Sequence, residues 1–236
     1  MPKTQGIYLT YSRLLDRKKA DEWDTWYDNI HLPDIVGSGS AWRATRWQRQ
    51  DPGHFGWTHT NIYEVEGPDI VSNQKKAAGL APKWRAEGRH FLEYALMDLK
   101  FFRPVGRWAN LDAPSSTVQA RVYVLSLCGD RSREDEWNQW YDEVHVPDIL
   151  DVDGFVSATR WELVNPTPYG ANYLALYDVD IEPEVAQTNL NSAVPAMYKK
   201  GRMHPQVAMA DMVWLIPTGR WSGLGYTHGK EMEPGA

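Results

Sequence analysis

Phenol, imidazole and carboxylate groups recur at helical spacing in one short run of the chain, Glu22-Trp23-Asp24-Thr25-Trp26-Tyr27-Asp28-Asn29-Ile30-His31-Leu32-Pro33-Asp34-Ile35. Residues four apart share a helix face, so Trp23, Tyr27 and His31 form one stripe. The stripe ends on a phenol and an imidazole one turn apart, beside Asp28 and Asp34, a set able to move protons. Imidazole titrates near neutrality, and both a helix C-terminus and a nearby carboxylate favour its charged form. The run returns as Glu136-Trp137-Asn138-Gln139-Trp140-Tyr141-Asp142-Glu143-Val144-His145-Val146-Pro147-Asp148-Ile149. The expected catalytic groups are therefore His31, Tyr27 and Asp34 in one copy and His145, Tyr141 and Asp148 in the other. A structural alternative stays open. Each histidine can cap the last carbonyls of its helix, and each aspartate can cap the turn that begins at the proline.

A second stripe, Trp26 with Ile30 or Trp140 with Val144, has the spacing of core residues and is expected to be structural. Trp23 and Trp137 lie on the catalytic stripe and are expected to line a substrate pocket. Arg46 and Arg160 fall within strand-like segments, where a long cation must reach solvent, pair with a carboxylate or meet an anionic ligand. They are taken as substrate-binding candidates, together with His59, Tyr63 and Tyr177; pairing with the motif carboxylates is the alternative. His54 and His59 occur only in the first copy, opposite Pro168 and Tyr173. Arg107-Trp108 and Arg220-Trp221 suit cation–π pairs closing a sheet edge.

These residues must be held by elements, and the repeat shows which. The offset of 114 persists from the motif through Ala44-Thr45-Arg46-Trp47 against Ala158-Thr159-Arg160-Trp161, and through Tyr63-Glu64-Val65 against Tyr177-Asp178-Val179. It then shifts by one, pairing Gly88-Arg89 with Gly201-Arg202 and Gly106-Arg107-Trp108 with Gly219-Arg220-Trp221. Such dense self-similarity reads as a duplication. In each copy a short apolar strand (Ile7 to Ser12, Val122 to Leu127) precedes a helix opening near Lys18 or Ser132, with acidic residues in its first turn. Leu32-Pro33 and Val146-Pro147 are expected to end or kink that helix, leaving the histidine near its C-terminus. A hairpin follows (Trp42 to Gln48 with Trp57 to Val65; Phe155 to Leu163 with Ala171 to Val179). A second helix spans about Pro68 to Gly79 or Glu182 to Lys200, and a last strand spans about Phe91 to Phe102 or Val207 to Ile216. The order βαββαβ is the split βαβ arrangement.

One sheet with helices on one face needs cover on the other, which a second copy can supply. The expected fold class is α+β, two ferredoxin-like modules fused into an intramolecular dimeric α+β barrel. The boundaries are 1–106 for the first module, 107–119 for a linker, 120–221 for the second module and 222–236 for a tail.

A chain of 236 residues with 25 Lys+Arg against 31 Asp+Glu is mildly acidic and carries no basic block, which argues against nucleic acid as a partner. One cysteine, Cys128, excludes an internal disulfide framework, fits a reducing cytoplasmic compartment and reads as a small buried residue. No window approaches a membrane span. Self-association of the fused chain is compatible with the sequence.

The motif Glu-Trp-x-x-Trp-Tyr-Asp-x-x-His-x-Pro-Asp-Ile, followed by Ala-Thr-Arg-Trp, resembles the EthD-like and DUF4286-like branches of the dimeric α+β barrel superfamily, over nearly all of each half. The resemblance implies a ligand pocket between the helices and sheet of one module, lined by Trp23, Tyr27 and His31 or by Trp137, Tyr141 and His145. The first copy departs from the usual pattern at Gly37-Ser38-Gly39-Ser40-Ala41. The expected activity is acid–base catalysis without organic cofactor or metal on a hydrophobic, aromatic small molecule, as a lyase, isomerase or cyclase. The resemblance also implies an alternative, a cofactor-free monooxygenase or haem-binding enzyme; a non-catalytic binding or stress-response module, in which tryptophans and histidines only hold the barrel together, is a further alternative.

Overall fold

The computed structural model describes residues 4–51, 56–106, 118–168, 170–219 and 226–227. The chain divides into two compact units, Met1–Arg103 with Ile216–Ala236, and Pro104–Leu215.

The first unit contains β1 (Gly6–Leu14), α1 (Ala20–Trp26), α2 (Leu32–Gly37), β2 (Arg43–Arg49), β3 (His59–Val65), α3 (Ile70–Ala86) and β4 (Tyr94–Pro104). β1 pairs antiparallel with both β3 and β4, and β2 pairs with β3, giving the strand order β4-β1-β3-β2. The second unit repeats the series with β5 (Ala120–Cys128), α4 (Glu134–Trp140), α5 (Val146–Leu150), β6 (Phe155–Leu163), β7 (Tyr173–Val179), α6 (Pro183–Lys199) and β8 (Val207–Pro217). β5 pairs with β7 and β8, and β6 pairs with β7. Each unit is thus a mixed α+β fold on an antiparallel sheet in ferredoxin-like order. A short strand, β9 (Tyr226–Thr227), adds to β2 of the first unit.

Strand periodicity sets the face that matters. In β1 the residues Tyr8, Thr10 and Ser12 share one face and stand opposite Tyr63, Asn61 and His59 of β3. In β2, Arg46 is the partner of Asn61. Isoleucines and tryptophan alternate with these on the other face, with Ile7, Leu9, Trp47 and Ile62 all buried.

The first helix of each unit differs from the sequence expectation. Pro33 and Pro147 do not end it. α1 passes through one π turn, Tyr27–His31, directly into α2, and α4 passes through Tyr141–His145 into α5. The Leu32 and Val146 N–H groups donate to the carbonyls of Tyr27 and Tyr141, five residues back. Each proline falls in the first turn of the following segment, directly after the π turn, so the widened turn and not a helix end accommodates the residue without a donor. His31 and His145 therefore lie inside a continuous helical stretch and cap no terminus. The second helix is longer than expected, reaching Ala86 in the first unit and carrying Pro82 within it. Among the described residues no helix is long and apolar enough to cross a membrane. Cys128 is buried at the end of β5. His54, Arg107-Trp108, Arg220-Trp221 and most of the expected linker and tail lie outside the described residues.

Candidate active site

In the first unit α1, α2 and α3 lie on the Tyr8 face of the sheet and leave a cavity of about 200 Å³ against it. Its walls include Trp26, Tyr27, His31, Tyr63, His90 and Tyr94. On the α3 side the lining includes Ala77, Ala78 and Ala81, whose small side chains leave space, together with Gln74 and Trp84.

His31 is the polar centre of this cavity. Its ring stacks on Trp26 at 4.6 Å with 24° between the planes, and meets Tyr27 edge-on at 5.0 Å. Its Nε2 lies 3.4 Å from the Tyr63 hydroxyl. Desolvation among these rings, with the nearby His90 and Arg46 adding to it, pushes the His31 pKa down to about 3. The neutral imidazole thus prevails at neutral pH, opposite to the charged form expected from a helix terminus. Burial also raises Tyr27 and, well above the phenol range, Tyr63, so both stay protonated as donors.

A polar strip on the sheet continues from Tyr63. Asn61 Nδ2 donates to the Thr10 hydroxyl at 2.9 Å and to the Tyr27 hydroxyl at 3.2 Å. Tyr8 stacks on Tyr63 at 4.6 Å and shares a 2.8 Å hydrogen bond with Ser40. Below the strip lies Arg46, whose side chain is buried. Its guanidinium covers the faces of Trp23 at 4.6 Å and Tyr27 at 4.3 Å and binds Asp24 at 2.5 Å. It also donates to Thr218 at 3.1 Å. Arg46 thus backs the aromatic stripe and is absent from the cavity wall.

The other expected residues are placed as follows. Trp23 packs between Tyr27 and His59 beneath the cavity. His59 bonds the Thr58 hydroxyl at 2.9 Å, and desolvation, then Arg46, lowers its pKa to about 3. Asp34 lines the cavity but turns its carboxylate to Arg89, which grips both oxygens. Asp148 does the same with Arg202, at 2.6 Å for each bond. Each carboxylate is thus bonded to an arginine and not to its histidine.

In the second unit His145 stacks on Trp140 at 4.9 Å and meets Tyr141 edge-on. Desolvation lowers its pKa to about 4, opposed by Asp148 and reinforced by Arg160. Arg160 lies over Tyr141 and more distantly Trp137, and binds Asn138 and Asp142. Burial raises Tyr141 and Tyr177. The scaffold is repeated while the polar lining is not. Where the first unit has Tyr8, Thr10 and Asn61, the second has Val122, Val124 and Ala175, and Leu190 occupies the place of Ala77. His90 and Tyr94 are replaced by Met203 and Val207. The signal for Tyr8, Thr10, Asn61, Ala77, His90 and Tyr94 was present in the sequence as mismatches between the two similar halves. Trp26, expected to be purely structural, also faces the cavity.

A haem does not fit this cavity. The macrocycle exceeds its volume, and the His31 ring is held flat on Trp26 with Nε2 toward Tyr63. Among the described residues no cluster of His, Cys, Asp and Glu is arranged to hold a metal ion.

Residues 121–203 match the family described as domain of unknown function DUF4286, which covers less than half of the chain. No curated protein matches the sequence. Several solved structures share its fold. A candidate monooxygenase from Fusobacterium nucleatum is 10% identical, with a TM-score of 0.55 over 96% of this chain and 99% of its own. An anthrone oxidase-like protein is 11% identical, with a TM-score of 0.59 over 98% and 96%. A mutant chlorite dismutase from Candidatus Nitrospira defluvii is 8% identical, with a TM-score of 0.54 over 92% and 93%.

Proposed function

We propose that the first unit is an enzyme without organic cofactor that binds a flat phenolic compound of one or two rings, removes a proton from it, and lets the resulting anion react with molecular oxygen. The observation that carries this reading is the neutral His31, aimed at Tyr63 inside a cavity walled by aromatic rings. A cavity of about 150 Å³ holds benzene, so the about 200 Å³ here suits one ring or two.

In this reading Tyr27 and Tyr63 donate hydrogen bonds to the substrate oxygen, and Trp26 stacks against its ring. His31 takes a proton from an activated carbon. An imidazole so depressed is a weak base in the empty site. The anion it creates beside itself supplies the missing counter-charge, which raises its basicity as proton transfer proceeds. The anion then passes electrons to oxygen and forms a C–O bond, and the proton on His31 returns to give a hydroperoxide. Where the carbon carried two hydrogens, loss of water leaves a ketone, so the sum is CH₂ plus O₂ to C=O plus H₂O. The oxygen-handling names of the structural neighbours support this course over a lyase, isomerase or cyclase. The shared element order and the sequence repeat support a tandem duplication of one ferredoxin-like module. The lone buried Cys128 supports a cytoplasmic setting.

Oxygen uptake with a panel of hydroxynaphthalenes and their partly reduced ketones tests the reading. Wild type is expected to consume oxygen, and His31→Gln to lose roughly a hundredfold, the scale of a positioned base. Turnover of the same panel without oxygen would return the reaction to isomerisation or cyclisation. Equal rates in wild type and H31Q would remove His31 from the chemistry.

A further inference from the structure

The Tyr8–Ser40 hydrogen bond joins the linings of two spaces. Tyr8 lines the cavity of His31, whereas Ser40 lines an outer pocket of about 180 Å³ with Gly39, Ala41, Trp42, Asn73 and Lys76. Both residues of the pair are buried, and their 2.8 Å bond links a wall residue of one space to a wall residue of the other. The second unit has Val122 and Gly154 at these positions and can form no such bond. Ser40 belongs to the Gly37 to Ala41 stretch in which the two copies diverge, a feature that the chemistry at His31 leaves unused.

We infer that the outer pocket is a second subsite of the same active site, which receives an acceptor-bearing chain attached to the phenolic ring held beside His31. This rests on the proposed function. A chain passing between Tyr8 and Ser40 can exchange their mutual bond for bonds to itself, since each hydroxyl both donates and accepts. Beyond them waits Lys76. Its ammonium donates to the Gly39 carbonyl at 3.3 Å and to Asn73 Oδ1 at 2.6 Å, which leaves one of its three donors for an incoming oxygen. Lys76 is exposed, so these bonds lie on the solvent side of the pocket. Glu66 borders the pocket too, so a chain is favoured that ends at Lys76 without running along the whole floor. Joined, the two spaces enter the range usual for ligand pockets, about 300–1,000 Å³. The substrate class that follows is a one- or two-ring phenol with a short chain ending in a carboxylate.

Tryptophan fluorescence titration with two probes, 2-naphthol and 2-naphthol carrying a butanoate chain on its far ring, tests the inference. Wild type is expected to bind the chain-bearing probe about fivefold more tightly, the size of one partly exposed ion pair. Lys76→Met should abolish the difference and leave 2-naphthol binding unchanged, while Lys76→Arg should keep most of it. Equal affinity for the two probes in wild type, or a preference that survives in K76M, overturns the outer subsite and leaves the His31 cavity standing. Failure of wild type to bind either probe overturns both.

Discussion

Trp26 and His31 are five residues apart, yet their rings stack at 4.6 Å. At 3.6 residues per turn, five residues leave two side chains roughly 140° apart around the axis. The π turn at Tyr27–His31 removes that offset by bonding residues five apart, and so brings the imidazole over the indole. His145 and Trp140 repeat the arrangement at 4.9 Å. The widened turn is therefore what aims each histidine.

Acid should weaken the fold through these imidazoles. His31 and His59 titrate at about 3 and His145 at about 4 in the folded protein, each below its unfolded value. The unfolded chain binds more protons in that window, so stability present above about pH 6.5 is lost as pH falls toward 3. Urea midpoints measured from pH 7 to pH 4 should fall, and His31→Gln should flatten the slope by about one proton relative to wild type. An unchanged slope in H31Q would mean that His31 is already charged in the folded state.

Ala77→Leu should close the cavity. The residue is buried on α3 and lines the space, and Leu190 stands at the matching place in the second unit. Filling a void is tolerated far better than overpacking, so stability should change by less than about 1.5 kcal/mol. Naphthol-induced quenching should disappear. Retained binding would place the ligand elsewhere.

Arg46 should resist conservative replacement. Its guanidinium stacks on Trp23 and Tyr27 while binding Asp24, and a lysine ammonium cannot do both. Arg46→Lys is expected to cost more than about 1 kcal/mol and Arg46→Ala about 3 kcal/mol, since Asp24 is partly solvated and its abandoned charge is less costly than a buried one. Chemical denaturation gives both values, and histidine NMR titration should show His59 rising toward its ordinary pKa in R46A.

Gly219 and Gly106 should tolerate no side chain. They adopt φ of 72° and 69°, and a Cβ on either would collide with a carboxylate, Asp28 or Asp142 respectively. Gly88 has a similar φ of 70° with open space around it. Alanine at Gly88 should cost only the left-handed penalty of about 1 kcal/mol, and alanine at Gly106 or Gly219 clearly more. Thermal melts of the three variants rank them.

The scaffold was more legible in the sequence than the site. Strand alternation and acidic first turns are local patterns and the 114-residue echo needs only the sequence, so together they were enough to place the order of elements. Pro33 misled, since a proline late in a helical pattern looks like a stop until the widened turn absorbs it. The cavity was hidden because it depends on which strand residues share a face with which helix residues. Thr10 and Asn61 meet only through the β1–β3 register, and three alanines on α3 signify nothing until a sheet stands opposite them.

Thr218 donates its N–H to the Arg46 carbonyl and its hydroxyl takes a bond from the Arg46 guanidinium, so residues beyond Ile216 complete the first unit. On the ribosome this closure comes late. Translation proceeds at about 5–20 residues per second, so Arg103 emerges several seconds or more before Thr218. During that interval the nascent first half must wait with its stacked guanidinium lacking one acceptor. A stalled or prematurely terminated chain would present the cell's proteases with an unfinished module.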